Sequence, residues 1–349
     1  MLGSVPAGKL RVLFVCQRPD FRSYKLAKAL RDSGGAEVHL LASSWDSALH
    51  APAFDTLTHL GPLLSGSLSL YNLAKRLHGR AVGAVAGPAM GMWLGRMMRR
   101  CGSFDAVHTV APPLSLSRLV VDSSPAPVVF DQYDLMLQTS ASWKVWKSDA
   151  DDEIYCLENA DGLVHKGPAA ELDFYKEKGH RLTAPDLSFP DGCDEVMFQP
   201  VDAAKLRDSD GQWHLVYAGG IHGPGKEYHL LPVFEALTAQ GIHVHVYPAK
   251  WSEDHEDLDC YRKAAAGNRL LHMERSMPYS ELVKAMSAYD FGLYYFDLDR
   301  PEFPGLATKA KTAAGNKVPS YYEAGIPVII ARGMEYSARF VAEDGAGLL

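Results

Sequence analysis

Apolar and polar residues along this chain alternate between short hydrophobic runs and stretches of helical spacing, and the alternation repeats from one end to the other. Leu10-Arg11-Val12-Leu13-Phe14-Val15-Cys16 is an apolar run of strand length. Arg22 to Ser33 then carries Leu26, Ala27 and Leu30 on one helical face before Gly34-Gly35 stops it. Glu37 to Leu41, Asp105 to Val110 and Pro127 to Asp131 predict further strands. In the second half, Leu215 to Ile221, His243 to Tyr247, Phe291 to Tyr295 and Val328 to Ile330 predict strands, with helices over Leu230–Leu237 and Ser280–Ala288. Strands alternating with helices predict an α/β protein with doubly wound parallel sheets, on which ligands gather where strands end and loops begin.

Two of those strand ends carry chemistry. Gly315-Asn316-Lys317 precedes a short helix that Gly325 ends and Pro327 blocks, so free backbone N–H groups and an ammonium converge as in an anion site. Leu215-Val216-Tyr217-Ala218-Gly219-Gly220 is a strand running into a glycine turn, followed by Lys226. There the backbone can approach a ligand closely and a cation can neutralise phosphate. The bland alternative is an ordinary strand–helix unit with a surface lysine. Between the halves, Phe189-Pro190-Asp191-Gly192 through Gln199-Pro200 closes one domain before the next opens.

Taken in order, these segments resemble the nucleotide-sugar glycosyltransferases of GT-B fold, in particular the group with a glycosyltransferase 4-like N-terminal domain. The resemblance implies two Rossmann-like domains facing a central cleft, an acceptor-side domain over 8–198 and a nucleotide-sugar-binding domain over 199–349. It implies donor and phosphate contacts from Gly219, Gly220, Lys226, Asn316, Lys317 and Ser320, and base contacts from Arg275, Ser276 and Met277. The sequence also departs from the family. The positions of a paired glutamate motif fall on Thr312 and Ser320, and a phosphate-binding arginine is replaced by Gly220. The chain ends at Gly347-Leu348-Leu349, where relatives continue with further helices. Candidate bases on the acceptor side are Asp134, then Asp131, His108 and Asp20. Each acid reads equally as a cap, and His108 as a hydrogen-bonded structural histidine. A retaining enzyme needs no strong base, so stereochemistry stays open.

The 349 residues, 47% hydrophobic, exceed the usual size of a single core and fit two domains. A net charge of -7 argues against a nucleic-acid partner. Five scattered cysteines without a CxxC pair fit a reducing cytosol, and the first residues lack a secretory signal. From Thr56 to Phe104 there is no acid, yet Lys75, Arg76, Arg80, Arg96, Arg99 and Arg100 lie among leucines and methionines. This segment is either a helical insertion with solvated arginines or a face that docks on an anionic membrane and presents a lipid-linked acceptor. Asp149-Ala150-Asp151-Asp152-Glu153 reads as the solvated first turn of a helix rather than a cation site. His243 and His245 lie two apart on a strand with no Cys or third His near them in sequence, so no metal is expected.

The resulting expectation is a metal-independent glycosyltransferase of hexosyltransferase type. It would use no cofactor beyond a UDP or GDP sugar as co-substrate and serve cell-surface or exopolysaccharide synthesis. Its acceptor would be a saccharide or a lipid-linked molecule, and its place cytoplasmic and peripheral at the inner face of the cell membrane. The alternatives are a nucleotide-sugar epimerase or hydrolase on the same fold, and a non-catalytic scaffold that binds a nucleotide sugar.

Overall fold

The computed structural model describes residues 8–78, 80–111, 113–132, 146–226, 229–249, 253–297 and 309–349. The chain forms two compact units, Met1–Pro190 and Asp191–Leu349. Unit 1 begins with β1 (Leu10–Cys16), α1 (Phe21–Asp32), β2 (Ala36–Ala42), α2 (Ser47–His50) and β3 (Thr56–His59). Two long helices follow, α3 (Pro62–His78) and α4 (Arg80–Cys101). Then come β4 (Ala106–Val110), α5 (Leu114–Ser123), β5 (Val128–Gln132), α6 (Lys147–Asn159), β6 (Gly162–His165), α7 (Ala170–Glu177) and β7 (Asp186–Ser188). The described strands order as β3-β2-β1-β4-β5-β6-β7, all parallel. Successive strands therefore build outward in both directions from β1 and β4.

Unit 2 repeats the scheme with α8 (Arg207–Asp210), β8 (His214–Gly219), α9 (Leu231–Thr238), β9 (His243–Pro248), α10 (Asp259–Gly267) and β10 (Leu271–Met273). It continues with α11 (Tyr279–Met286), β11 (Phe291–Tyr294), α12 (Lys317–Glu323), β12 (Val328–Ile330), α13 (Glu335–Glu343) and β13 (Gly347–Leu348). Its order is β10-β9-β8-β11-β12-β13, again parallel, with the chain reversing direction across the sheet between β8 and β11. Leu215, Val216, Tyr217, Val244 and Val246 are buried, as strands covered on both faces require.

The division between units falls at Pro190/Asp191, ahead of the 198/199 boundary expected from sequence. The Asp194 amide donates to Glu323 Oε1 and the Gln199 amide to the Glu323 carbonyl, both at 2.7 Å, so this strip of chain is hydrogen-bonded to α12 of unit 2. Among the described residues, no helix is long and apolar enough to cross a membrane.

One contact fixes α12 on the sheet. Tyr321 is fully buried; its hydroxyl donates to the Leu293 carbonyl at 2.9 Å and accepts from the Ala218 amide at 3.3 Å, spanning β8 and β11. Its ring lies on Gly292, where a Cβ would stand 2.3–2.5 Å from ring atoms. Gly292→Ala therefore overpacks a core that cannot give way, and a loss of about 1–3 kcal/mol is expected. Urea unfolding checks this: a midpoint unchanged from wild type would contradict it.

Candidate functional site

In unit 2 the ends of β8 and β11 flank the point where strand order reverses, the place at which a doubly wound sheet opens a crevice. Lys317, the first residue of α12, is delivered there by the Tyr321 anchor one turn on. Its ammonium lies 5.1 Å from the centre of the Tyr217 ring and 5.3 Å from that of Tyr294, one ring from each flanking strand. Two aromatic faces hold a cation by attraction to their quadrupoles. Gly219 has φ +145, and a Cβ on it would stand 2.7 Å from Lys317 Cε and 2.9 Å from Nζ. Glycine is thus favoured by its backbone angle, and the lysine stem occupies the place a side chain would take. The Tyr217 hydroxyl donates to the Gly220 carbonyl at 2.7 Å and sets the turn.

The remaining donor-side candidates separate. Asn316 sits at the start of α12 without a side-chain cap. Ser320 bonds to the Tyr279 hydroxyl at 2.9 Å and the Asn316 carbonyl at 3.0 Å, so its oxygen is used inside the unit. Lys226 is half-exposed and contacts both oxygens of Asp257 at 2.8 and 2.7 Å. The hydrogen bond from Lys226 is the main reason the Asp257 carboxyl lies below its ordinary range, so this lysine arrives already neutralised. Around the expected base-binding loop, Glu253 Oε1 accepts the Ser276 amide at 2.9 Å, Met277 packs on the core and Arg275 is exposed. Sequence reasoning missed Tyr294 and Asp257. Neither has a local signal, because register and loop folding bring them to the site.

In unit 1, Asp20 is a helix cap: its Oδ1 accepts from the Ser23 amide at 2.9 Å and hydroxyl at 3.0 Å. Asp131 is fully buried. Its Oδ1 accepts from Arg22 Nε and Nη2 at 3.2 and 3.1 Å, and its Oδ2 lies 3.1 Å from His108 Nε2. Burial alone would raise this carboxyl, but the hydrogen bond and charge of His108 and the charge of Arg22 outweigh it and hold the group below its usual value. Neither Asp20 nor Asp131 is placed as a freely presented base. His108 stacks on Phe14 at 4.4 Å, and its Nδ1 has no partner among the described residues. Asp134 lies outside the described residues.

The basic segment and the acidic run meet each other. Lys75 is buried with its ammonium 2.5 Å from both oxygens of Asp152, and Arg118 reaches the same carboxylate at 3.2 Å. Arg76 pairs with Asp149 at 3.0 Å. Glu153, also buried, accepts from Gln132 Nε2 at 2.8 Å and the Tyr175 hydroxyl at 2.6 Å. The expectation of a solvated acidic turn is corrected: α6 faces these acids inward, and Lys75 is withdrawn from the expected docking face. Arg96, Arg99 and Arg100 are exposed, and the Arg80 side chain lies outside the described residues. Lys75 also lines a groove of about 930 Å³ among α3, α4, α5 and α6, bounded by Tyr71, Arg118, Asp152 and Tyr155.

The expectation for the histidines is corrected too. Register sets His214 of β8 opposite His243 of β9, and one nitrogen each from His214, His243 and His245 lie within 4.8 Å of one another.

No family model matches the chain, and no curated protein matches it. Solved structures do. Anabaena HepE in complex with UDP-glucose superposes with a TM-score of 0.62 at 14% identity over 95% of this chain and 82% of that one. An E. coli trehalose-6-phosphate protein bound with UDP-2-fluoro glucose gives 0.61 at 12% identity over 97% and 87%. Sucrose-phosphate synthase of Thermosynechococcus elongatus gives 0.54 at 15% over 92% and 81%. The fold is GT-B. With sheets of seven and six parallel strands, both halves of the chain take part in the likeness.

Asp131→Ala would take from the buried Arg22 guanidinium the carboxylate 3.1 Å away, and a loss of about 3–5 kcal/mol is expected. Asp20→Ala removes only a cap, worth about 1 kcal/mol. Denaturant unfolding of the two variants side by side checks the order; equal losses would contradict the assignment.

Proposed function

We propose that the protein is a glycosyltransferase that moves a hexose from a nucleoside diphosphate sugar to a saccharide or lipid-linked acceptor, with unit 2 as the donor half. The observation that carries this reading is the Lys317 ammonium held between Tyr217 and Tyr294 against Gly219, at the reversal point of the unit 2 sheet. Breaking the glycosidic bond pushes negative charge onto the departing diphosphate. A cation fixed in advance beside that charge lowers the barrier, since it need not reorganise during the reaction. The glycine turn lets the Lys317 ammonium lie directly against the backbone at the strand end. An ammonium in this place supplies the charge that a metal ion supplies in other sugar transfers. Gly220, Asn316, Ser320 and Lys226 belong to the same donor surface. Within it Lys317 is given the main electrostatic role, because two rings hold its ammonium at the strand ends whereas Lys226 is half-exposed on Asp257. Arg275, Ser276 and Met277 remain the proposed side for the base. UDP is the preferred nucleotide and GDP the second, since HepE and the E. coli relative in fold were solved with UDP-sugars.

For the acceptor, His108 is the proposed base among the described candidates, with Asp131 as its positioning partner. Asp131 fixes Nε2 and leaves Nδ1 to take a proton. Asp134 stays a candidate for the same task.

Calorimetric titration with UDP and UDP-sugars tests the donor site. Lys317→Ala is expected to weaken UDP binding tenfold or more, the scale of a charge-assisted hydrogen bond at about 1.5–3 kcal/mol. Lys226→Ala is expected to change it by less than about threefold, since the exposed Lys226–Asp257 pair contributes little. An unchanged affinity in Lys317→Ala would overturn the phosphate assignment. Sugar transfer that depends on added acceptor separates this reading from a hydrolase, an epimerase or a silent scaffold.

The proposed location is the cytoplasmic face of a membrane, with a role in cell-surface or exopolysaccharide synthesis. It is supported by a stripe on α3, where Leu63, Leu70, Leu73 and Leu77 are 77%, 69%, 55% and 62% exposed on one helical face. Exposed apolar side chains in a row mark a docking surface, and the exposed Arg96, Arg99 and Arg100 of α4 would each add attraction of about 1 kcal/mol beside anionic lipid. Vesicle sedimentation is expected to show binding that requires anionic lipid and is lost in the Leu70→Glu, Leu73→Glu double variant. Equal binding to neutral and anionic vesicles would remove the electrostatic part.

A further inference from the structure

We infer that unit 2 holds a divalent transition-metal ion of the zinc class on His214, His243 and His245, at the edge of the sheet opposite the Lys317 site.

The inference begins with which nitrogens carry protons. His214 Nε2 lies 3.0 Å from Asp210 Oδ2, and His245 Nδ1 lies 3.0 Å from Glu274 Oε1. Ionised carboxylates only accept, so the proton sits on each of those nitrogens, and in a neutral ring the opposite nitrogen then bears a lone pair. Those opposite nitrogens, His214 Nδ1 and His245 Nε2, face each other at 3.0 Å. Two lone pairs at that distance repel, and the arrangement is completed by an electrophile between them.

His243 follows the same pattern. Its Nε2 lies 3.1 Å from Gln212 Oε1 and 3.8 Å from Asp210 Oδ2, which turns the lone pair of Nδ1 inward toward His272 Nε2 at 2.9 Å. His214 and His245 thus have their outer N–H groups tied to carboxylates and their inner nitrogens turned to each other, and a nitrogen of His243 lies within 4.8 Å of both rings' nitrogens. That is the second-shell pattern by which proteins orient histidine ligands on a metal.

A proton shared by His214 and His245 is the rival occupant, and the metal titration below separates the two. Four stacked imidazoles share this edge, with His214 and His243 centred 4.4 Å apart and His245 and His272 4.2 Å apart. A metal ion keeps all the rings neutral. Tetrahedral zinc, with nitrogens at about 2.0–2.1 Å, sets its ligands roughly 3.3 Å apart. The 3.0 Å pair is near that spacing, and side-chain rotation closes the rest from the 4.8 Å limit. Neutral imidazole donors select zinc, copper, nickel or cobalt over magnesium and calcium.

Position assigns the role. His214 and His243 open β8 and β9, whereas Gly219 closes β8, five residues away and so about 16 Å along the strand. The ion would pin β8 to β9 and leave the donor end alone.

The test uses the untagged, chelator-stripped full chain. Cobalt(II) is expected to bind at one equivalent with intense visible bands of tetrahedral type. Zinc(II) is expected to raise the melting temperature by roughly 5 °C at a hundredfold excess over its dissociation constant, reversed by chelator. His245→Gln should abolish the bands, and Asp210→Asn, at a half-exposed position, should weaken zinc affinity about 10–100-fold while keeping the fold. His180→Gln, on unit 1, should change nothing. Absence of both the bands and the zinc-dependent shift in the wild-type chain would overturn the assignment, as would bands of full intensity in His245→Gln.

Discussion

Parallel strand pairing is the constraint from which the rest of this molecule follows. Every described strand in each sheet runs the same way as its neighbours, so all carboxyl ends of a sheet lie on one edge and all amino ends on the other. Helices must then cross over both faces, and strand interiors become apolar throughout. In unit 2 this sorts chemistry by edge. Gly219 and Tyr294 close their strands beside Lys317, while His214 and His243 open theirs. A backbone hydrogen-bond pattern, rather than any side chain, decides that an anion-facing cation and a histidine cluster occupy opposite ends of the same strands.

The Lys317 site then depends on packing. A lysine at the first turn of a seven-residue helix has little intrinsic order. Tyr321 supplies it by bridging β8 and β11, and Gly292 and Gly219 supply the space by having no side chain. Glu323, one turn from Ser320, accepts the Tyr279 hydroxyl and the Asp194 amide and so ties α12 to α11 and to the start of the unit. The helix that carries the ammonium is positioned by buried contacts, and the Tyr217 and Tyr294 rings then hold the charge itself.

Charge compensation organises the helical layer of unit 1 in a different way. A segment without acids and a helix rich in them are far apart in sequence, yet Lys75 meets Asp152 and Arg76 meets Asp149. Buried pairs of this kind gain little net stability over apolar packing, but breaking one leaves a charge with no solvent and no partner. They fix which face α3 turns to α6, and that leaves the leucine stripe outward. The arginines near the end of α4 stay exposed because α6 brings no acids to them.

Local pattern was enough for the two-domain α/β reading and for most strands, because fully buried parallel strands leave unmistakable apolar runs such as Val12 to Cys16. The strands β3, β6, β7, β10 and β13, of two to four residues each, have no such run and went unseen. The strand end at Gly219 and the short helix that Lys317 opens were legible as local shapes, because each is signalled by residues close in sequence. What required the tertiary structure was each pairing across distance. Asp257 takes up Lys226, Asp131 takes up Arg22, and Lys75 turns inward to Asp152. Above all, His214 joins His243 and His245. The amino-acid sequence determined which groups are present and which local shapes they adopt. Strand register and helix packing decided which of those groups share a space, because parallel pairing joins residues that are far apart along the chain and a few ångströms apart across it.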